Sequence, residues 1–189
     1  MQIAPANITG LILTGGRGTR MGGEDKGWVP WREQPLVNHV LARLQPQVGA
    51  VMINANRNLD RYRTLGHPVI ADAWPDYRGP LAGILAGLES MHTDWLMCVP
   101  CDAPLLPGDL ATKLSEALPE TCLLSVADDG HPQPVFSLLH RNLAAPLRAF
   151  LEADGRAVIR WLESQGAVFA DCRDSAAGFA NFNRPEDLL

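Results

Sequence analysis

Ile8-Thr9-Gly10-Leu11-Ile12-Leu13-Thr14-Gly15-Gly16-Arg17-Gly18-Thr19-Arg20-Met21-Gly22-Gly23-Glu24-Asp25-Lys26 is the stretch that decides the fold. Residues 8–13 form a short apolar run bounded by glycines, the pattern of a buried strand. Five glycines between Leu13 and Lys26 exceed what a simple turn needs. Glycine admits φ > 0 and lets the backbone come close to a ligand. Successive backbone N–H groups in such a loop can cradle phosphate oxygens. Arg17, Arg20 and Lys26 add the positive charge that a triphosphate requires. The loop is not a dinucleotide fingerprint, because Gly16-Arg17-Gly18-Thr19-Arg20-Met21 lacks the third glycine. It is not a Walker A loop either, since Lys26 follows Asp25 and precedes Gly27. A plain surface loop has a similar composition; its place directly after the first strand favours the nucleotide reading.

Outward from this segment, strand-like and helix-like runs alternate. Strands are expected at residues 8–13, 48–54, 68–71, 94–99, 122–127, 134–139 and 167–170. Helices are expected at 35–44, 80–91, 107–118, 142–151 and 156–164, the first with Leu36, Val37, Val40, Leu41 and Leu44 on one face. The alternation implies an α/β fold: a three-layer, Rossmann-like, mostly parallel sheet with helices on both faces. No linker divides the chain, so a single domain over residues 1–189 is expected. Ligands of such sheets sit at the carboxyl ends of the strands. Gly15-Gly16, Asn54, Asp72 and Asp102 fall at those ends.

The totals exclude some classes. The chain has 189 residues, 47% apolar and 20% charged, with a formal net charge of -5. That balance argues against a nucleic-acid backbone binder, which carries a basic surface. A small anionic substrate needs only a few placed cations. No apolar run is long enough to span a bilayer, and Met1 to Asn7 lack the features of a secretory signal. A cytosolic protein without a membrane or nucleic-acid partner is expected. Cys98-Val99-Pro100-Cys101 is the one C-x-x-C pair. A zinc site would need a second ligand pair, and the charge of Asp102 would raise a neighbouring thiol pKa. Two buried thiols at a strand end are expected, and the five tryptophans are assigned to packing.

Leu13-Thr14-Gly15-Gly16, then Arg20-Met21-Gly22, then Asp25-Lys26, resembles the glycine-loop signature of nucleotidyltransferases with a GT-A-like fold. Asn54-Ala55-Asn56-Arg57, Asp72, Gly79-Pro80-Leu81-Ala82-Gly83, Pro100-Cys101-Asp102-Ala103-Pro104, His131-Pro132 and Asn181-Phe182-Asn183 are similar to the blocks of the molybdenum cofactor guanylyltransferase family, in that family's order. The resemblance covers nearly the whole chain. Thr14 departs from it, since alanine is usual there. The resemblance implies a reaction in which the terminal phosphate of molybdopterin attacks the α-phosphorus of GTP with Mg²⁺. Pyrophosphate leaves and molybdopterin guanine dinucleotide forms. It also implies transient contacts with molybdenum-cofactor assembly proteins and target apoenzymes.

Residue by residue, Asp102 is the expected metal ligand, because a carboxylate ending a buried strand must be paired or coordinated; a helix cap or turn carboxylate is the competing role. Lys26 and Arg20 are expected on the phosphates. Leu13, Thr14, Gly15 and Gly16 would offer backbone groups. Asn54 and Asp72 are candidates for base and ribose contacts, and Gly79 opens a helix whose free N–H groups face the nucleotide. His131, Arg156, Asn181 and Asn183 are assigned to the second substrate. The N-terminal half thus binds GTP and the C-terminal half molybdopterin. Two other readings compete: a cytidylyltransferase on the same pterin or another phosphate acceptor, and a nucleotide-binding module without catalysis.

Overall fold

A computed structural model describes residues 2–15, 25–74, 78–182 and 187. In chain order the elements are β1 (Ile8–Leu13), β2 (Pro30–Trp31), β3 (Gln34–Pro35), α1 (Leu36–Leu44), β4 (Ala50–Asn54), α2 (Leu59–Arg63), β5 (Val69–Ile70), α3 (Pro80–Ser90), β6 (Trp95–Pro100), α4 (Leu110–Glu116), β7 (Leu124–Asp128), β8 (Pro132–His140), α5 (Ala144–Glu152), α6 (Val158–Ser164) and β9 (Val168–Asp171). Among the described residues the main sheet has seven strands in the order β5-β4-β1-β6-β8-β7-β9.

β1 is buried along its whole length because it pairs in parallel with β4 on one side and β6 on the other. Two apolar layers follow from the alternation of its side chains. Ile8 and Ile12 join Val37, Val40 and Leu44 of α1 and Leu110 and Leu114 of α4 on one face. Leu11 and Leu13 join Leu81, Ile84 and Leu85 of α3, Leu147 of α5 and Trp161 of α6 on the other. The mostly parallel, three-layer expectation therefore holds. One refinement concerns β8, which runs antiparallel to both β6 and β7, so the sheet is mixed on that side. Helix and strand ends differ from expectation by a few residues, as at α4, which begins at Leu110 rather than 107. No helix among the described residues is long and apolar enough to cross a membrane.

Two small elements were not foreseen. β2 and β3 form a hairpin whose connecting residues, Arg32 and Glu33, both adopt positive φ, 46° and 69°. That is the backbone of a type I′ turn, normally written with Asn and Gly. α2 is five residues long and follows Asn58, which takes a left-handed conformation. Its Tyr62 is fully buried.

α3 approaches the sheet closely because it lacks side chains where it crosses β1 and β6. A Cβ at Gly87 would lie 2.6 Å from Leu11 Cδ2 and 2.9 Å from Leu96 Cδ2. Both leucines are completely buried and have nowhere to move. Gly87→Val should destabilise the protein by about 1–3 kcal/mol through overpacking, which outweighs its gain in helix propensity. A urea midpoint equal to that of the parent chain would refute the close-contact account.

The four cysteines are free. Cys98 and Cys101 are buried in and just beyond β6, as expected, and burial raises both thiols above the ordinary range, with Asp102 and Asp25 raising Cys101 further. Cys122 is only partly covered. In the native protein Cys122 should alkylate first, with Cys98 and Cys101 reacting at the rate of unfolding. Rapid modification of Cys101 near neutral pH would contradict its placement.

Candidate active site

The carboxyl ends of the parallel strands converge on one cleft, at the point where the strand order switches from the β4 side of β1 to the β6 side. Its volume is about 270 Å³, and it is lined by Leu13, Thr14 and Gly15 after β1, Asn54 at the end of β4, Asp72 after β5 and Pro100 to Asp102 at the end of β6. Gly79 and Pro80 contribute the start of α3, Val135 comes from β8, and Lys26, Arg57 and Asn181 reach in from loops. Of the residues expected from sequence, Leu13, Thr14, Gly15, Lys26, Asn54, Asp72, Gly79, Asp102 and Asn181 are thus brought together. Gly16, Arg20 and Asn183 lie outside the described residues.

Lys26 and Asp102 face each other with Nζ donating to Oδ2 at 3.1 Å. Asp102 is only 8% exposed, so its charge requires such a partner. Its other oxygen makes no hydrogen bond among the described residues, on the wall of the cleft. Among those residues no group of three or more His, Cys, Asp or Glu side chains is placed to hold a metal ion. A single carboxylate with one uncommitted oxygen suits a hard divalent cation whose other ligands are phosphate oxygens and water.

The base of the cleft is an extension of the sheet. Thr14 N–H donates to Asn54 O at 3.0 Å, and Cys101 N–H donates to Leu13 O at 3.0 Å. The Thr14 hydroxyl also donates to Asn54 O, at 2.8 Å. The ladder therefore runs one residue past β1 on each side. The Leu13 carbonyl and the Thr14 amide are therefore engaged in the ladder, while both residues still line the cleft and a carbonyl oxygen keeps a second lone pair for a ligand. The first backbone donor left for a ligand after β1 belongs to Gly15.

Asp72 is held by a small network. Asn54 Nδ2 donates to Asp72 Oδ1 at 2.9 Å, and Asn56 Nδ2 donates to Oδ2 at 2.7 Å. The Asp72 N–H returns a bond to Asn56 Oδ1 at 2.9 Å. Asn56 pairs with Asp72 as a strand neighbour would, extending the β4–β5 register beyond its last residues. Behind this network Gly83 of α3 lies against Asn54: a Cβ there would collide with Asn54 Oδ1 and Leu13 Cδ2. At the helix start, Gly79 has φ 73° and ψ -166°, a conformation open essentially to glycine alone, and no side chain caps the helix. Pro80 has no N–H and the Ala82 N–H turns back to Gly79 O at 3.3 Å, so the Leu81 N–H is the helix donor open to a ligand.

Asn181 reaches the cleft through a long-range tie. Phe182 N–H donates to Asp102 O at 2.7 Å, and the Phe182 ring packs edge-on against Trp31 of the hairpin at 5.2 Å. His131 and Arg156 do not line the cleft. His131 is exposed in the β7–β8 turn, which the antiparallel register places at the same end of the sheet. Arg156 pairs with Asp154 at 2.9 Å in the exposed α5–α6 connection. Arg57 and Val135 line the cleft without having been given a role from sequence. Arg57 was visible as the only cation in the polar block after β4; Val135, an apolar residue within a strand, gave no signal.

A larger cavity of about 630 Å³ opens at the opposite end of the sheet, near Met52, His67, Met91 and His92. Among the described residues its lining has no carboxylate, lysine or arginine. Its size is no argument for phosphate chemistry, and the charged cleft is the functional candidate.

Residues 10–168 match the model of the MobA-like NTP transferase domain. The molybdenum cofactor guanylyltransferase of Ralstonia pickettii is 47% identical, covering 99% of this chain and 97% of its own. That of Cupriavidus pinatubonensis is 46% identical over the same shares. Among solved structures, molybdopterin-guanine dinucleotide biosynthesis protein A from Archaeoglobus fulgidus superposes with a TM-score of 0.78 at 22% identity, covering 95% of this chain and 94% of its own. The 4-diphosphocytidyl-2C-methyl-D-erythritol synthase of Anaerococcus prevotii shares the fold with a TM-score of 0.71 at 11% identity, covering 96% of this chain and 92% of its own. The domain match and the near-complete coverage by relatives far above 30% identity place the chain in the molybdenum cofactor guanylyltransferase family.

Proposed function

We propose that this cleft transfers GMP from GTP to molybdopterin, releasing pyrophosphate and forming molybdopterin guanine dinucleotide. The family supports the substrates. The observation that carries the chemistry is the Lys26–Asp102 pair at 3.1 Å, set where the ends of β1, β4 and β6 meet. In the reaction a phosphate oxygen of molybdopterin forms a bond to the α-phosphorus of GTP. The bond from that phosphorus to the bridging oxygen breaks, and both electrons leave with pyrophosphate. The protein's task is to align two polyanions and to neutralise the charge that grows on the leaving group.

Lys26 is assigned to the phosphates, together with Arg20 and the backbone of Gly15 and Gly16. Asp102 would hold Mg²⁺ through its uncommitted oxygen. A bound Mg²⁺ supplies charge neutralisation of the triphosphate. Asp72, its carboxylate fixed by Asn54 and Asn56, suits guanine, whose N1–H and N2 amino group are donors. The start of α3 at Gly79 presents the Leu81 N–H and a positive helix end to the same nucleotide. The N-terminal half thus takes GTP. The C-terminal half is assigned to molybdopterin, with Asn181 in the cleft, Asn183 just beyond it in sequence, and His131 and Arg156 outside the cleft lining.

Asp102→Ala should lower turnover by about 100- to 1,000-fold while the thermal unfolding profile stays cooperative. Full activity in that variant would remove the metal-holding role. Lys26→Met keeps the stem of the side chain and removes its charge. It should raise the KM for GTP and lower kcat; kinetics equal to the parent enzyme would remove Lys26 from the phosphates. Pyrophosphate release with GTP and CTP in competition tests the base. GTP should prevail, and Asp72→Asn should narrow the preference. Equal use of both nucleotides by the parent chain would transfer the reading to a cytidylyltransferase.

A further inference from the structure

The residue before Lys26 is a buried carboxylate with no part in the chemistry above. Asp25 is 7% exposed, a depth at which an ionised group needs partners. Three residues in and before α2 supply them. Tyr62 hydroxyl donates to Asp25 Oδ1 at 2.6 Å, and Asn58 Nδ2 donates to Oδ2 at 3.0 Å. Arg57 Nε stands 3.9 Å from Oδ2. Asn58 reaches its position with φ 53°, a left-handed conformation that asparagine tolerates better than most residues.

The main chain of Asp25 is tied as firmly. Its carbonyl accepts from Trp28 N–H at 2.9 Å, and the next carbonyl, of Lys26, accepts from Val29 N–H at 3.1 Å. These bonds wind Lys26–Trp28 into one tight turn. The turn rests directly on Tyr62. A Cβ at Gly27 would overlap the Tyr62 hydroxyl, and the Trp28 ring packs on the Tyr62 ring at 5.2 Å. Burial, more than any neighbour, holds the Tyr62 hydroxyl protonated, far above the ordinary phenol range, so it is a fixed donor. Thr14, at the base of the cleft, neighbours the same hydroxyl.

We propose that Asp25 is a positioning residue for nucleotidyl transfer: anchored by Tyr62, Asn58 and Arg57, it sets the turn from which Lys26 reaches both Asp102 and the phosphates. The inference rests on the nucleotide reading of the cleft. Asp25 touches no substrate. It acts through Lys26, and α2 acts through Asp25. A purely structural Asp25 would contribute to stability alone; a positioning one also controls how well Lys26 meets the triphosphate.

The test uses the full chain with Mg-GTP and four variants: Asp25→Asn, Asn58→Asp, Asp25→Asn combined with Asn58→Asp, and Tyr62→Phe. In Asp25→Asn one of the two acceptor oxygens becomes a donor, so either Asn58 Nδ2 or the Tyr62 hydroxyl loses its acceptor. This variant should lose about 10- to 100-fold in kcat/KM for GTP, chiefly through KM, at temperatures where it is fully folded. The double exchange restores one donor against one acceptor and should recover most of the loss, so the two substitutions are non-additive. Tyr62→Phe keeps the ring and removes one donor, and should raise KM to a smaller extent. A lower Tm with parent kcat/KM in Asp25→Asn would overturn the proposal, as would simple additivity in the double variant. If Asp25→Asn does not fold, Tyr62→Phe decides, and an unchanged KM there overturns it. If the parent protein forms no dinucleotide from GTP and molybdopterin, the reaction assigned above fails. The Kd of Mg-GTP for parent and Asp25→Asn then decides the positioning separately: weaker binding in the variant supports it, and equal values overturn it.

Discussion

A carboxylate and an ammonium held face to face at the mouth of a buried sheet constrain everything around them. Neither Asp102 nor Lys26 tolerates removal from water alone, and together they are stable only if the strand ends keep them in register. β6 supplies Asp102 and β1 supplies the start of the segment that returns as Lys26. The parallel pairing of these strands fixes one side of the ion pair. The turn at Lys26–Trp28 fixes the other. The cleft, the engaged Thr14 amide and the close approach of α3 are consequences of keeping that junction both dry and open on one side.

The same junction shows a division of labour between backbone and side chains. Leu13 and Thr14 spend their carbonyl and amide, respectively, on the neighbouring strands, which stiffens the floor. The groups left open toward the cleft are of another kind: the Asp72 carboxylate, the Gly79 helix start and the backbone of Gly15. Asn54 links the two layers, since its carbonyl receives Thr14 and its side chain directs Asp72. Gly83 is small because that asparagine needs the space.

Much of this was legible from residue order. Alternating apolar runs specified the layered sheet because its central strands β1 and β6 are buried on both faces, and polar residues at strand ends marked the cleft. What stayed hidden has physical reasons. The hairpin of β2 and β3 turns through Arg32 and Glu33, residues that carry no turn signature, so the positive φ values come from packing rather than from preference. α2 is too short for its periodicity to register. Asn56 acts by imitating a strand neighbour, a role set by the length of its side chain and the position of β5, which no spacing rule encodes. Asp25 was visible only as part of a motif; that its carboxyl turns inward to Tyr62 depends on a helix not foreseen. His131 belongs to the matching blocks, yet neither it nor Arg156 lines the cleft.

Phe182 closes on the main chain of Asp102 across a large separation in sequence. Such a contact costs loop-closure entropy and forms only after the chain between its ends is organised. The turn that carries Asp102 is therefore tied down by a segment far along the chain from it. A chain cut ahead of Phe182 would keep the pairing of β1 with β4 and β6, yet its Asp102 loop would lack the tie that holds it.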